Sequence, residues 1–136
     1  MVKKMKNIEI VNAINGLSEF VNKDKDVPIE LSFAITANLD ELTDAIKPFE
    51  KEREKIVRKI EEARQNEDTE AANAELEKLD EEFNRLMNIE VDAHISTVGH
   101  SVIKEIERYT KISTKDLMCL RFMIKESEED EENIAD

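Results

Sequence analysis

The sequence predicts an α+β fold, mainly α: a long antiparallel helical hairpin projecting from a small base, which holds a short two-stranded antiparallel sheet and a C-terminal helix. Three observations carry this reading. Ile35, Leu39, Leu42, Ile46, Phe49, Arg53, Ile56 and Ile60 recur at 4,3 spacing, and Ala72, Leu76, Leu79, Phe83 and Leu86 repeat that rhythm. Residues so spaced share one stripe of a helix, the seam of an antiparallel pair. A chain reversal near Asp68 sets Ile60 against Leu76, Ile56 against Leu79, Arg53 against Phe83 and Phe49 against Leu86, so both seams agree on one register. The period then shifts to two, with Ile89, Val91, Ala93, Ile95 and Thr97 alternating with Glu90, Asp92, His94 and Ser96. That alternation is the mark of a half-buried strand.

The elements follow in chain order. A short amphipathic helix opens the chain, with Asn7 as its cap and Ile10, Val11, Ile14, Leu17 and Val21 as its apolar stripe. Asn22 to Asp26 is a polar turn, and Val27-Pro28 holds the backbone extended, with Ile29, Leu31 and Phe33 as a possible brief strand or lead-in. A long helix runs from about Ser32 to about Gln65, with a kink, or else a clean break, near Lys47 because Pro48 removes one backbone hydrogen bond; the unbroken phase of the 4,3 pattern favours the kink. Residues 33–49 are apolar on more than one face and belong to a core, whereas 50–82 keep little beyond the seam and form the projecting arm. Asp68 or Thr69 caps the returning helix. The strand at 89–98 ends at Gly99-His100, and a second strand at 105–112 pairs with it, although Val102, Ile103 and Ile106 also suit one helical turn. Ser113 caps the last helix, with Asp116 at its third position, and Leu117 to Ile124 make that helix apolar nearly all round.

A chain of 136 residues with 39% charged residues, 4% aromatic residues and no Trp suits one domain of long solvated helices around a small aliphatic core. The domain spans 1–125, with a base of 7–49 and 83–125, an arm of 50–82, and an acidic tail at 126–136 that reads as disordered and solvating. One cysteine, Cys119, excludes an internal disulfide and fits a reducing compartment. No apolar run is long enough to span a membrane, and the basic N-terminus lacks a signal core. A net charge of −13 argues against direct nucleic-acid binding, because phosphate is repelled.

Candidate chemistry is sparse. His94 shares a strand face with Glu90 and Asp92, and His100 follows the turn, but their spacing matches no zinc pattern and a solvated face accounts for them. Cys119 sits in an apolar run, where a thiol is an inert small hydrophobe. There is no Gly-rich phosphate loop and no nucleophile elbow. The chain therefore reads as non-enzymatic, with no catalytic residue, metal or cofactor. One asymmetry stands out: residues 99–125 carry Lys104, Arg108, Lys111, Lys115, Arg121 and Lys125 against Glu105, Glu107 and Asp116, a net +3. Lys104, Arg108, Tyr109 and Arg121 are the candidate ligand-binding residues, since guanidinium forks grip phosphate and a Tyr face takes a base or ribose. The competing account pairs these cations with acids of the arm or of a second subunit.

The order NIEIVNAINGLSEF, VPIELSFAITANLDEL, KPFEKEREKI, FNRLMNIEVDAHIS and ISTKDLMCLRFMIKE resembles a family of small phage and prophage proteins of unknown function from viruses of Gram-positive bacteria. The resemblance covers most of residues 7–125. Residues 61–75 stand where the family carries an acidic polar insert, here with a helical, Ala-containing sequence. It transfers no catalytic residues. It implies a phage origin, action in the host cytoplasm during infection and no enzymatic activity. For such a protein the leading reading is counter-defence by binding, either sequestering a nucleotide signal or blocking a host protein. The alternative is virion morphogenesis, as a scaffold or tail-assembly accessory. DNA mimicry fits less well, because Lys and Arg are interspersed among the acids. A homo-oligomer, most simply a twofold dimer, is expected through the 114–124 helix or the 33–49 region.

Overall fold

The basic N-terminus is a strand. In the computed structural model, which describes residues 1–125, β1 (Val2–Lys6) pairs antiparallel with β2 (Glu90–His94). Lys4 lies opposite Asp92, Lys6 opposite Glu90 and Val2 opposite His94, so the acidic face of β2 meets cations from β1. On the inner face Met5 and Ala93 are buried, and the ladder continues where the Ile95 amide donates to the Met1 carbonyl at 2.7 Å. This corrects two expectations: the base takes in residues before Asn7, and the partner of β2 is not 105–112. Residues His100–Ile106 are instead a helix, α5. Ile106 is fully buried, and Val102 and Ile103 pack on the same core. Positions 102, 103 and 106 share a helical face, whereas a strand would send 102 and 103 to opposite sides.

Helix α1 (Asn7–Asn22) buries Ile10, Ala13, Leu17 and Phe20. Val21, expected on that stripe, is half exposed because Phe20 is the residue facing the core. Asn7 is the first helical residue rather than the cap; Lys6 is the cap, and its backbone amide donates to Glu9 Oε1 at 2.9 Å. The Asn7 side chain is used elsewhere, donating at 2.8 Å to the Leu86 carbonyl.

Helix α2 (Ile29–Ala45) begins immediately after Pro28, so no strand or extended lead-in covers Ile29 to Phe33. Pro28 supplies the fixed φ that starts the helix. Leu31, Ala34, Ile35 and Leu42 face the core, while Ile29 and Phe33 point outward, which corrects the reading of 33–49 as apolar on several buried faces. The helical run is interrupted at the single residue Ile46 and resumes as α3 (Lys47–Arg64), with Pro48 in its first turn. Ile46 keeps helical dihedrals, and its amide and carbonyl still bond to Leu42 and Glu50, both at 3.0 Å. Pro48 thus falls where a missing amide matters least.

Helix α4 (Thr69–Met87) starts at Asp68, whose carboxylate accepts from the amides of Glu70 and Ala71. Ile56, Ala63 and Leu79 are buried in one cluster between α3 and α4, flanked by Ile60, Leu76, Phe83 and Leu86. The rings of Phe49 and Phe83 lie 6.4 Å apart where the arm joins the base. Helix α6 (Thr114–Leu120) ends earlier than expected, in a 3-10 turn at Arg121–Met123. Leu120 and Met123 are buried, but Met118 is 71% exposed, which corrects the reading of this helix as apolar-packed nearly all round. The acidic tail expected at 126–136 lies outside the described residues.

The main core joins α1, α2, the sheet and the C-terminal segment. One amide is built into it. Asn38 is fully buried; its Nδ2 donates to the Ser96 carbonyl at 2.9 Å and its Oδ1 accepts from the Ser96 amide at 2.7 Å. Asn38→Leu should cost roughly 2–4 kcal/mol in urea denaturation, because both backbone groups of Ser96 lose their partner. Leu79→Asp should cost several kcal/mol, on the order of a buried Leu plus the desolvation of a carboxylate, and should release the arm in hydrogen exchange while the base stays protected.

Candidate functional site

The C-terminal segment that carries the cationic excess is organised by one carboxylate. Asp116 is 2% exposed and sits in the first turn of α6, where Ser113 Oγ accepts from the Asp116 amide and Asp116 Oδ2 accepts from the Ser113 amide, each at 3.1 Å. The reciprocal cap expected from sequence is present. Two further donors come from the end of α1. Lys23 Nζ donates to Oδ1, and Lys25 Nζ donates to Oδ2 at 3.0 Å. Asp24 between them has φ of 49°, the left-handed turn that ends α1. Lys25 Nζ also donates to the Lys111 carbonyl at 2.7 Å, tying down the irregular segment between α5 and α6.

Burial pushes the Asp116 carboxyl pKa up, but hydrogen bonds from Lys23, Lys25 and Ser113 outweigh it and hold the group well below the usual carboxylate range. Lys23 is correspondingly raised, by its hydrogen bond to Asp116. A carboxylate whose two oxygens are both engaged by cations stays ionised. Its role is to fasten α6 to α1. The two helices approach closely: a Cβ on Gly16 would lie 2.8 Å from Cβ of Cys119. The Cys119 thiol donates to the Asp116 carbonyl at 3.0 Å, and burial raises its pKa, so it is a poor nucleophile.

The four residues singled out by sequence lie on the segments that precede and follow α6 in the chain. Lys104 lies on α5, Arg108 and Tyr109 follow it, and Arg121 begins the 3-10 turn; all four are exposed. Tyr109 is 56% exposed. Part of the cationic excess is neutralised at home, since Lys115 pairs with Glu19 of α1 at 3.3 Å. Among the described residues, Lys104, Arg108 and Arg121 take part in no ion pair. Asp116, one of the three acids counted against these cations, is held by Lys23 and Lys25, which offsets the loss of Lys115 to Glu19 and leaves the excess as the sequence sum gives it.

Two clefts lie elsewhere. One, of about 380 Å³, is bounded by Val11 and Ile14 of α1 and by Phe49, Phe83 and Met87 at the root of the arm. The other, of about 650 Å³, runs along the arm between α3 and α4. Neither is lined by Lys104, Arg108, Tyr109 or Arg121. Sequence reasoning missed Asp116 as an ion-pair centre and Lys23 and Lys25 as its partners. The available signal was Lys-Asp-Lys directly after an amphipathic helix, with an Asp that could leave the helical region. On the strand face Lys4 stands opposite Asp92, Lys6 opposite Glu90 and Val2 opposite His94.

No family model matches the chain, and neither curated proteins nor solved structures show a match to it.

Asp116→Asn should cost about 2 kcal/mol at neutral pH, the scale of hydrogen bonds to a charged group, discounted because Lys23 is 40% exposed. The folded carboxyl titrates below the unfolded one, so its contribution is complete above the unfolded value and is lost as pH falls through the folded value. The stability gap between wild type and Asp116→Asn should therefore be flat above about pH 5 and should narrow below about pH 4, as chemical denaturation across that range would show.

Proposed function

We propose that this chain is a non-enzymatic phage accessory protein that acts inside the host cell by binding, and that it blocks a host protein in a counter-defence role. The observation that carries this reading is the set Lys104, Arg108, Tyr109 and Arg121, all four exposed and lining neither of the two clefts described. Small-molecule sites are concave and bury most of their ligand. An exposed aromatic among unpaired cations instead suits the surface of an acidic protein, where Tyr and Arg are the residues that contribute most per contact. The resemblance to small phage proteins supports the setting. The unfavourable net charge supports selectivity, because only a partner with a local acidic patch gains from approaching this face.

Calorimetry against cyclic nucleotides and ADP-ribose derivatives should give no heat. Crosslinking in infected cells should yield a host protein that is retained by wild type and lost by Arg108→Glu with Arg121→Glu at unchanged helical content. A nucleotide that binds wild type and not Arg108→Ala with Arg121→Ala would move the reading to signal sequestration. Recovery of capsid or tail proteins would move it to virion morphogenesis.

A further inference from the structure

The cleft along the arm differs from the one at its root in the charge of its sides. Helix α3 contributes Arg53, Val57 and Arg64 to it, and α4 contributes Leu76, Glu77 and Asp80. The same polarity holds over the whole elements: α3 has seven cations and five acids, a net +2, and α4 has two cations and six acids, a net −4. Among the described residues, Arg53, Arg64, Glu77 and Asp80 are in no ion pair within the subunit. Two packed helices bury one stripe each and leave a groove on the hairpin face, here with Val57 40% exposed beside it.

We infer that this groove is filled by the arm of a second copy of the chain, with two hairpins pairing face to face into a four-helix bundle. Charge fixes the arrangement. A groove with one cationic and one acidic side is self-complementary under a half-turn about an axis parallel to the arm, which lays α3 of each subunit along α4 of the other. A twofold axis across the arm would stack α3 on α3 and α4 on α4, bringing like charges together. The net charge of −13 per chain opposes any unspecific encounter, so a locally matched seam is what permits association. The interface thus lies on the arm, not at the 114–124 or 33–49 segments expected from sequence. Its size sets its strength. At 18 residues α3 is about 27 Å long, and two helices span about 20 Å, so the face is roughly 540 Å² in projection. A standard interface covers about 800 Å² per partner, so this dimer is reversible and concentration-dependent.

Sedimentation equilibrium of the full chain from micromolar to sub-millimolar concentration should show a monomer–dimer equilibrium. Arg53→Glu with Arg64→Glu makes both sides acidic, and Glu77→Lys with Asp80→Lys makes both basic. Each variant alone should self-associate roughly tenfold more weakly or worse, and an equimolar mixture should form the heterodimer. Val57→Lys, at an exposed position that leaves folding intact, should abolish the dimer by itself. A wild-type chain that stays monomeric over the whole range would overturn the inference. So would unchanged self-association in Val57→Lys, or a mixture of the two charge variants that stays unassociated.

Discussion

The base is held in register by one buried amide. A polar side chain enclosed in a hydrocarbon core is destabilising unless its donors and acceptors are matched, and Asn38 is matched by the two backbone groups of a single residue, Ser96. The pairing copies a rung of a β-ladder, with the α2 side chain standing in for a strand. It fixes the segment that leaves β2 at one height on α2. Two residues later, Val98 pairs with the C-terminal segment: its amide donates to the Met123 carbonyl and its carbonyl accepts from the Lys125 amide, both at 2.9 Å. Asn38 Nδ2 also lies 3.6 Å from Met123 Sδ. Helix α2, the end of the sheet and the end of the described chain therefore meet at one residue. A leucine there would fill the space and specify none of these heights.

The second polar anchor works by a different balance. Asp116 is as buried as Asn38 but charged, so its burial is tolerable only with ammonium groups at hand. Both lysines come from the turn that ends α1, and Lys23 keeps part of its side chain in water, which lowers the desolvation cost of the cluster. The left-handed residue Asp24 puts the two ammonium groups on the two carboxylate oxygens. Helix α6 is short, with 7 residues, and would be marginal alone. Its reciprocal cap, its ion pairs and the close Gly16 approach replace length with specific contacts. Asn7 performs a smaller version of the same service, giving its side-chain amide to a carbonyl in the last turn of α4.

What was legible in the sequence was whatever depends on near neighbours along the chain. The 4,3 spacing of Ile56, Ile60, Leu76 and Leu79 announces amphipathic helices, and Ser113 with Asp116 announces a cap, because each is a matter of a few residues. The alternation at 90–94 announces a strand, but its partner lies about ninety residues away in the chain, and pattern alone cannot choose among distant candidates. The clue was chemical: Lys4 and Lys6 carry the charge that Asp92 and Glu90 lack. Asn38 was hidden for the opposite reason. It sits among Ile35, Leu39 and Leu42, where an apolar stripe masks one polar member whose partner is a backbone segment. The candidate surface was found as a composition, a cationic excess with one Tyr. Its scaffold was not, because Asp116 counts as a surface acid until Lys23 and Lys25 are known to reach it.

These anchors divide the molecule into parts held in different ways. The base contains long-range polar pairings, Asn38 with Ser96 and Asp116 with Lys23 and Lys25, each joining residues more than fifty apart in sequence. The arm contains none of that kind among the described residues; its ion pair Lys55 with Glu52, at 3.1 Å, is local and exposed. Apolar contact alone specifies proximity but tolerates sliding, and directional bonds remove that freedom. The arm is therefore the part whose geometry depends most on its one buried stripe, with Ile56, Ala63 and Leu79 at the centre. On its outer sides Arg53, Arg64, Glu77 and Asp80 are in no ion pair within the subunit, among the described residues. The same separation holds in the C-terminal segment, where Asp116 is held by Lys23 and Lys25 while Arg108 and Arg121 take part in no ion pair among the described residues. In both places structure is made by groups that are satisfied internally, and the groups outside those pairings are the ones the proposals above rest on.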